Sequence, residues 1–189
     1  MDKRLLDKTW RLNHLYKIRN KKGELITFKP NRAQADFDKN KWYRNLILKS
    51  RQLGFTTYEA IDSLDDTLFT PNKDSLMIAH NLEAGESIFS KKISFAWEKI
   101  PDEIKSLYGV DAKTSKTLRF DFGSKGFSSI AVDTSGRSGT YQRVHITELA
   151  DISKKYPKKV PEIIEGTIPA IPTKRIIIAI TIFQFMISS

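Results

Sequence analysis

The sequence predicts an α/β fold with a mostly parallel sheet flanked by helices. Three observations carry that expectation. Short apolar segments alternate along the chain with longer segments of helical periodicity, the pattern that sets helices against a parallel sheet. Several of the short segments, Arg44 to Lys49 with its Leu46-Ile47-Leu48 and Arg143 to Thr147 among them, read as buried strands. Hydrophobic residues at 40% and aromatics at 11% are enough for a sizeable core in one domain of 189 residues, which rules out wholesale disorder.

The elements follow in order. Leu5 to Ile18 reads as a basic amphipathic helix with apolar contacts at Leu5, Leu6, Trp10, Leu12, Leu15 and Tyr16. Lys21-Lys22-Gly23-Glu24 is a turn, and Leu25 to Phe28 a short strand. Pro30-Asn31 starts a helix over roughly Arg32 to Lys41. Arg44 to Lys49 is a buried strand, and Thr56 to Leu68 a helix stopped by Pro71-Asn72. Ser75 to His80 is the next strand, Leu82 to Trp97 a helix, and Pro101 to Leu107 a short helix ending near Gly109. Thr117 to Phe122 alternates like an exposed hairpin strand; Ser128 to Val132 is its partner, with Gly123 and Gly126 between them. Arg143 to Thr147 is another buried strand, Val160 to Ile168 a short helix, and Arg175 to Ile182 the last strand.

Composition excludes several chemistries. With no cysteine there is no disulfide, thiolate zinc site, iron–sulfur cluster or Cys nucleophile. The three histidines, His14, His80 and His145, are scattered and predict no His-based metal centre. The net charge is +10, and its distribution is uneven: Met1 to Arg51 holds 15 Lys and Arg against 5 Asp and Glu, and the remainder 17 of each. A basic segment beside a neutral domain points to a polyanion, with a solvated basic surface as the plain alternative. The N-terminus has no signal-like apolar stretch, and the longest apolar run, Ile176 to Ile187, is too short for a bilayer span of about 17–25 residues. The expectation is a soluble intracellular protein with no membrane partner.

The sharpest local signal is Leu46-Ile47-Leu48-Lys49-Ser50-Arg51-Gln52-Leu53-Gly54-Phe55-Thr56-Thr57. A strand runs into a polar turn, then a glycine, then two threonines that open a helix. Amides at a helix N-terminus face an anion, and glycine lets the chain wrap closely around it. A first-turn hydroxyl can hold Mg²⁺, and a nearby cation supplies charge. The segment departs from the usual G-x-x-x-x-G-K-[ST] loop: Phe55 stands where the Lys belongs, and the first Gly is missing. Two further features sit at suggestive spacing. Gln34, in Phe28-Lys29-Pro30-Asn31-Arg32-Ala33-Gln34, offers a donor and an acceptor to an adenine edge. Arg143-Val144-His145-Ile146-Thr147-Glu148 is a strand ending in a carboxylate, where open α/β sheets bind ligands and where Glu148 would activate water.

Together these residues resemble the ATPase domain of the large terminase subunit, the DNA-packaging motor of tailed phages and prophages. Lys49 to Thr57 looks like that family's deviant Walker A, with the Lys displaced to the start of the loop and an aromatic in its usual place. Gln34 matches the adenine-recognising Gln, and Ser75 to Glu86 the helicase-like segment after the second core strand. Thr134-Ser135-Gly136-Arg137-Ser138-Gly139-Thr140 resembles the Arg/Gly-rich loop before Walker B, and Val144 to Ala150 resembles Walker B. The resemblance spans roughly Arg11 to Pro172 and departs from the family pattern in three places. Thr147 stands for the usual Asp. Apolar residues replace the polar partner and small turn expected around Thr181. No C-terminal nuclease domain of RNase H-like fold follows, so the sequence reads as an ATPase domain truncated before it.

The resemblance implies a RecA/P-loop NTPase-like core over 41–189, after a basic N-terminal subdomain, 1–40, that carries the adenine segment. It implies ATP and Mg²⁺ as cofactors and ATP-driven packaging of double-stranded DNA in the host cytoplasm. Small terminase subunit, portal protein and a homo-oligomeric ring are the implied partners. Lys49 would neutralise the β/γ-phosphates; Ser50, Gln52, Leu53, Gly54, Phe55, Thr56 and Thr57 would form the phosphate loop. Thr56, with Thr57 as second candidate, and Thr147 would face Mg²⁺. Glu148 would be the catalytic carboxylate, and Arg51 in cis or Arg137 from a neighbour would stabilise transition-state charge. Two alternatives stay open: a catalytically inactive nucleotide- or DNA-binding remnant, and a helicase-like ATPase of another family.

Overall fold

The computed structural model describes residues 2–49, 53–135 and 139–169, and the backbone of 175–181. Five strands run parallel in the order β3 (Arg44–Lys49), β9 (Arg175–Thr181), β8 (Arg143–Ile146), β4 (Asp74–Ile78), β7 (Phe127–Asp133). β6 (Thr117–Asp121) and β5 (Gly109–Lys113) extend the sheet antiparallel from β7. A separate antiparallel hairpin, β1 (Lys17–Arg19) with β2 (Leu25–Thr27), lies outside that sheet. The α/β expectation holds, and the β6–β7 hairpin is present. Its second strand is also the outermost of the parallel set, so the hairpin is built into the sheet.

Register aligns the strand ends. Lys49 pairs with Thr181, and Ile146 pairs with Ile78. The residues that follow β4 and β8 therefore emerge along one rim, which α3 (Phe55–Phe69) also meets after β3. Alternation divides the core into two layers. Met77, Ala79, Ile130 and Val132 face α3, α1 (Lys8–His14) and the long helical segment after β4, while Leu76, Ile78, Val144 and Ile146 face α7 (Leu149–Lys155) and the helical turn that carries Ile163.

α3 is buried almost all round. Ile61, Leu64 and Leu68 supply its apolar stripe, and Glu59, Asp62 and Asp65 are also fully buried. Buried carboxylates need cations, and those come from elsewhere in the chain. Arg143 on β8 donates to Glu59 at 2.6 Å, Asp62 at 2.6 Å and Asp66 at 2.7 Å. Lys8 meets Asp62 at 2.7 Å and Asp66 at 2.5 Å, and Lys41 meets Asp62 at 2.8 Å. Arg11 grips Asp65 through two bonds of 2.8 and 2.7 Å, and Tyr16 donates to the same carboxylate at 2.6 Å. Burial works against charge at Asp62, but Arg143, Lys8 and Lys41 outweigh it and hold that carboxyl well below the usual range. At Glu59 burial wins over Arg143 and raises the pKa. Part of the N-terminal basic excess is thus the internal counter-charge of α3.

Several elements differ from the sequence expectation. The first helix ends at His14, and Ile18 sits in β1. Asp7 caps α1 by accepting from the Thr9 N–H, and a short 3₁₀ turn, Lys3–Leu6, precedes it. β3 is buried on one face only. Side chains alternate along it, so Ile47 and Lys49 point inward, while Leu46 and Leu48 are 60% and 62% exposed. The helix expected over Leu82 to Trp97 is present as α4 (Leu82–Ile88) and α5 (Phe95–Glu98), joined by a π-helical turn, Phe89–Ser94. The next helix, α6 (Asp102–Lys105), is shorter than expected. β5 and α7 carry no strong periodic signal and were not expected. α2 (Arg32–Asn40) and α8 (Lys159–Pro161), which runs into a π-helical turn ending at Thr167, agree with the sequence reading within a residue or two.

Candidate nucleotide site

The expected phosphate-binding segment is described at both ends. Lys49, only 8% exposed, is the last residue of β3. The chain is next described at Leu53, and Gly54 takes the N-cap position of α3 with φ +71°. A side chain there would be strained in the left-handed region, and its Cβ would lie 2.9 Å from Gln34 Nε2. α3 has no acidic residue in its first turn, so the positive end of its dipole is not neutralised locally. The Phe55 and Thr56 amides at that end have no intrahelical carbonyl to reach.

A cleft of about 460 Å³ opens at this helix end. Of the residues singled out from sequence, Lys49, Gly54, Phe55, Thr56, Thr57, Thr147 and Glu148 all line it. They come from the end of β3, the start of α3 and the end of β8, segments far apart in sequence. His80, Ser87 and Lys92 line it as well and were missed. They follow β4: His80 lies in the Ser75–Glu86 segment already matched to the family, without a role assigned to it, and Ser87 and Lys92 lie beyond that segment, where only the rule that ligands sit at strand C-termini points.

Thr147 is 3% exposed. Its N–H and its hydroxyl both donate to the Ile78 carbonyl, at 2.9 and 3.0 Å. With the hydrogen so engaged, the hydroxyl oxygen offers only lone pairs elsewhere. Glu148 follows in the left-handed region, φ +53° and ψ +51°, a conformation that costs a non-glycine residue ~1–3 kcal/mol. Its carbonyl accepts from the Asp151 and Ile152 amides and starts α7. The strained backbone fixes where its carboxylate leaves the strand.

Gln34 lies beside the cleft and does not line it. It is 4% exposed. Its carbonyl oxygen accepts from the Asn31 N–H at 3.0 Å, and its amide donates to the Leu53 carbonyl at 3.0 Å. The first bond is half of a capping box on α2, because Asn31 accepts in turn from the Gln34 N–H. Asn31 also donates to the Leu53 carbonyl, at 3.2 Å. Two contacts from α2 therefore hold the stretch that enters α3. Gln34 keeps one amide N–H and one acceptor lone pair. Leu53, expected in the phosphate loop, does not line the cleft; its carbonyl accepts from Gln34 and Asn31 beside it. Ser50, Arg51, Gln52 and Arg137 lie outside the described residues. Thr181 is adjacent to Lys49 in the β3–β9 register.

Among the described residues, no group of three or more His, Asp or Glu could hold a metal, and no helix is long and apolar enough to cross a membrane. No family model matches the sequence, and no curated protein matches it. Solved structures do match in fold, among them the large terminase ATPase domain of Thermus phage P74-26 and an arginine-to-alanine mutant of that domain. Each superposes with a TM-score of 0.64 at 19% sequence identity, over 84% of this chain and 67% of the other. The chain therefore has the fold of a phage large terminase ATPase domain.

Proposed function

We propose that this chain is the Mg²⁺-dependent ATPase domain of a phage or prophage large terminase subunit, hydrolysing ATP to drive double-stranded DNA into a procapsid. One observation carries the reading: residues chosen for nucleotide chemistry from sequence alone converge on one cleft, at the strand rim of a terminase-like fold. Lys49 neutralises the β/γ-phosphates, and the amides that open α3 cradle them. Gln34 reads adenine with its remaining N–H and lone pair, and its bond to Leu53 links that reading to the loop. Residues 1–40 form the adenine-side segment and 41–189 the ATPase core.

The donors fit Mg²⁺, a hard cation that takes one or two protein oxygens and completes its shell with phosphates and water. Thr56 would hold it directly, Thr57 being the second candidate although its hydroxyl already accepts from Lys92 at 2.7 Å, and the lone pairs of Thr147 would suit its water shell. When bound, the ion would supply positive charge against that developing on the transferred phosphoryl group. Glu148 orients the attacking water and takes its proton. Arg51 in cis, or Arg137 reaching from a neighbouring subunit in a ring, stabilises the transition state, a role that contributes about 10³–10⁵ in rate. Double-stranded DNA, the small terminase subunit and the portal protein are the partners, in the host cytoplasm. Cations of the β1–β2 hairpin, Lys21 and Lys22 among them, are exposed and suit DNA phosphates.

Steady-state hydrolysis of ATP by the purified chain, with and without double-stranded DNA, tests the reading. Binding without turnover would assign the chain to the non-catalytic alternative. Lys49→Ala weakens ATP affinity about ten- to hundred-fold, the loss expected for one charged hydrogen bond. Unchanged affinity in that variant would remove Lys49 from the phosphate site.

A further inference from the structure

Lys92 reaches the cleft from the π-helical turn Phe89–Ser94, an element with no counterpart in the phosphate-loop reading. Ala84, Ile88 and Lys92, four residues apart, share the helical face that walls the cleft. The first two make that wall apolar, and Lys92 gives it a charge. Its Nζ donates to Thr57 Oγ1 at 2.7 Å, and no carboxylate is paired with it among the described residues. An ammonium has three donors, and half-buried Lys92 spends one of them on Thr57. π-turns are rare and recur at functional sites.

We infer that Lys92 is a second polyphosphate-binding cation of the cleft, seated on Thr57 and directed at the same ligand as Lys49. The inference rests on the nucleotide reading above and adds a residue from outside the phosphate loop. Titration calorimetry of the purified chain with inorganic tripolyphosphate and with a non-hydrolysable ATP analogue tests it. Lys92→Gln keeps a donor for Thr57 and removes the charge, whereas Lys92→Arg keeps the charge; thermal melts establish that both fold. Lys92→Gln weakens tripolyphosphate and analogue binding about ten- to hundred-fold, and Lys92→Arg restores most of the loss. Wild-type affinity in Lys92→Gln, or equal losses in both variants, overturns the inference and leaves the nucleotide reading intact. A wild-type chain that binds neither probe overturns both.

Discussion

Glu148→Gln lowers ATP turnover by about 10²–10⁴-fold, the range for loss of a general base, and leaves nucleotide binding near the wild-type value. The substitution keeps size and shape and removes the proton acceptor. Glu148 sits where β8 breaks into α7, in a left-handed backbone conformation. A carboxylate needed only to cap the next helix has no reason to take that conformation at a cleft shared with Lys49 and Thr56. Single-turnover hydrolysis beside equilibrium binding of the analogue separates the two effects. Turnover within a few-fold of wild type would give the proton transfer to another group.

Arg143→Met destabilises the chain by ~3–5 kcal/mol, because it leaves the carboxylates of α3 buried without their shared cation. Arg143 meets Glu59, Asp62 and Asp66 at once, and Glu59 and Asp62 are fully buried. For a chain of this size, that loss lowers the melting temperature by ~10 °C. The effect reaches the site as well. Arg143 ties β8, which leads into Thr147 and Glu148, to the helix that carries Thr56 and Thr57. Since Asp62 is held well below the usual carboxylate range, its contribution is present above about pH 4 and is lost as pH falls through the lowered value. Urea unfolding of the variant measures the destabilisation; a loss under ~1 kcal/mol would mean that the network does not bind these elements together.

The cleft was legible in sequence where its parts are local. Lys49, Gly54, Thr56 and Thr57 belong to one strand-to-helix passage, and Thr147 and Glu148 end an apolar run. Topology then brings strand C-termini to one rim, which joins the two segments without further information from the residues. What comes from the helix after β4 was not legible. Lys92 reads as one more cation in an amphipathic segment until the fold sets that segment against α3. Gln34 shows the same limit from the other side: its bond to Asn31 is a local capping box, but its bond to Leu53 depends on how α2 packs beside α3.

Charge was harder to read than pattern. The basic excess before Arg51 points outward in a linear count. Lys8, Arg11 and Lys41 turn inward because Glu59, Asp62, Asp65 and Asp66 recur at helical spacing on α3. That spacing is visible in the sequence beside the stripe of Ile61, Leu64 and Leu68, but an acidic face on a helix ordinarily faces water. The one-sided burial of β3 is a matter of what packs on each face: Leu46 and Leu48 look like core residues beside Ile47, but of the three only Ile47 joins the core.

The central claim is that the bend between β3 and α3 holds a nucleotide polyphosphate. A crystal structure with a non-hydrolysable ATP analogue and Mg²⁺ tests it most directly. The account predicts the triphosphate against the first amides of α3, with Lys49 on its β/γ oxygens and the Glu148 carboxylate facing the terminal phosphate. A triphosphate bound elsewhere on the chain, with that bend empty, would contradict it.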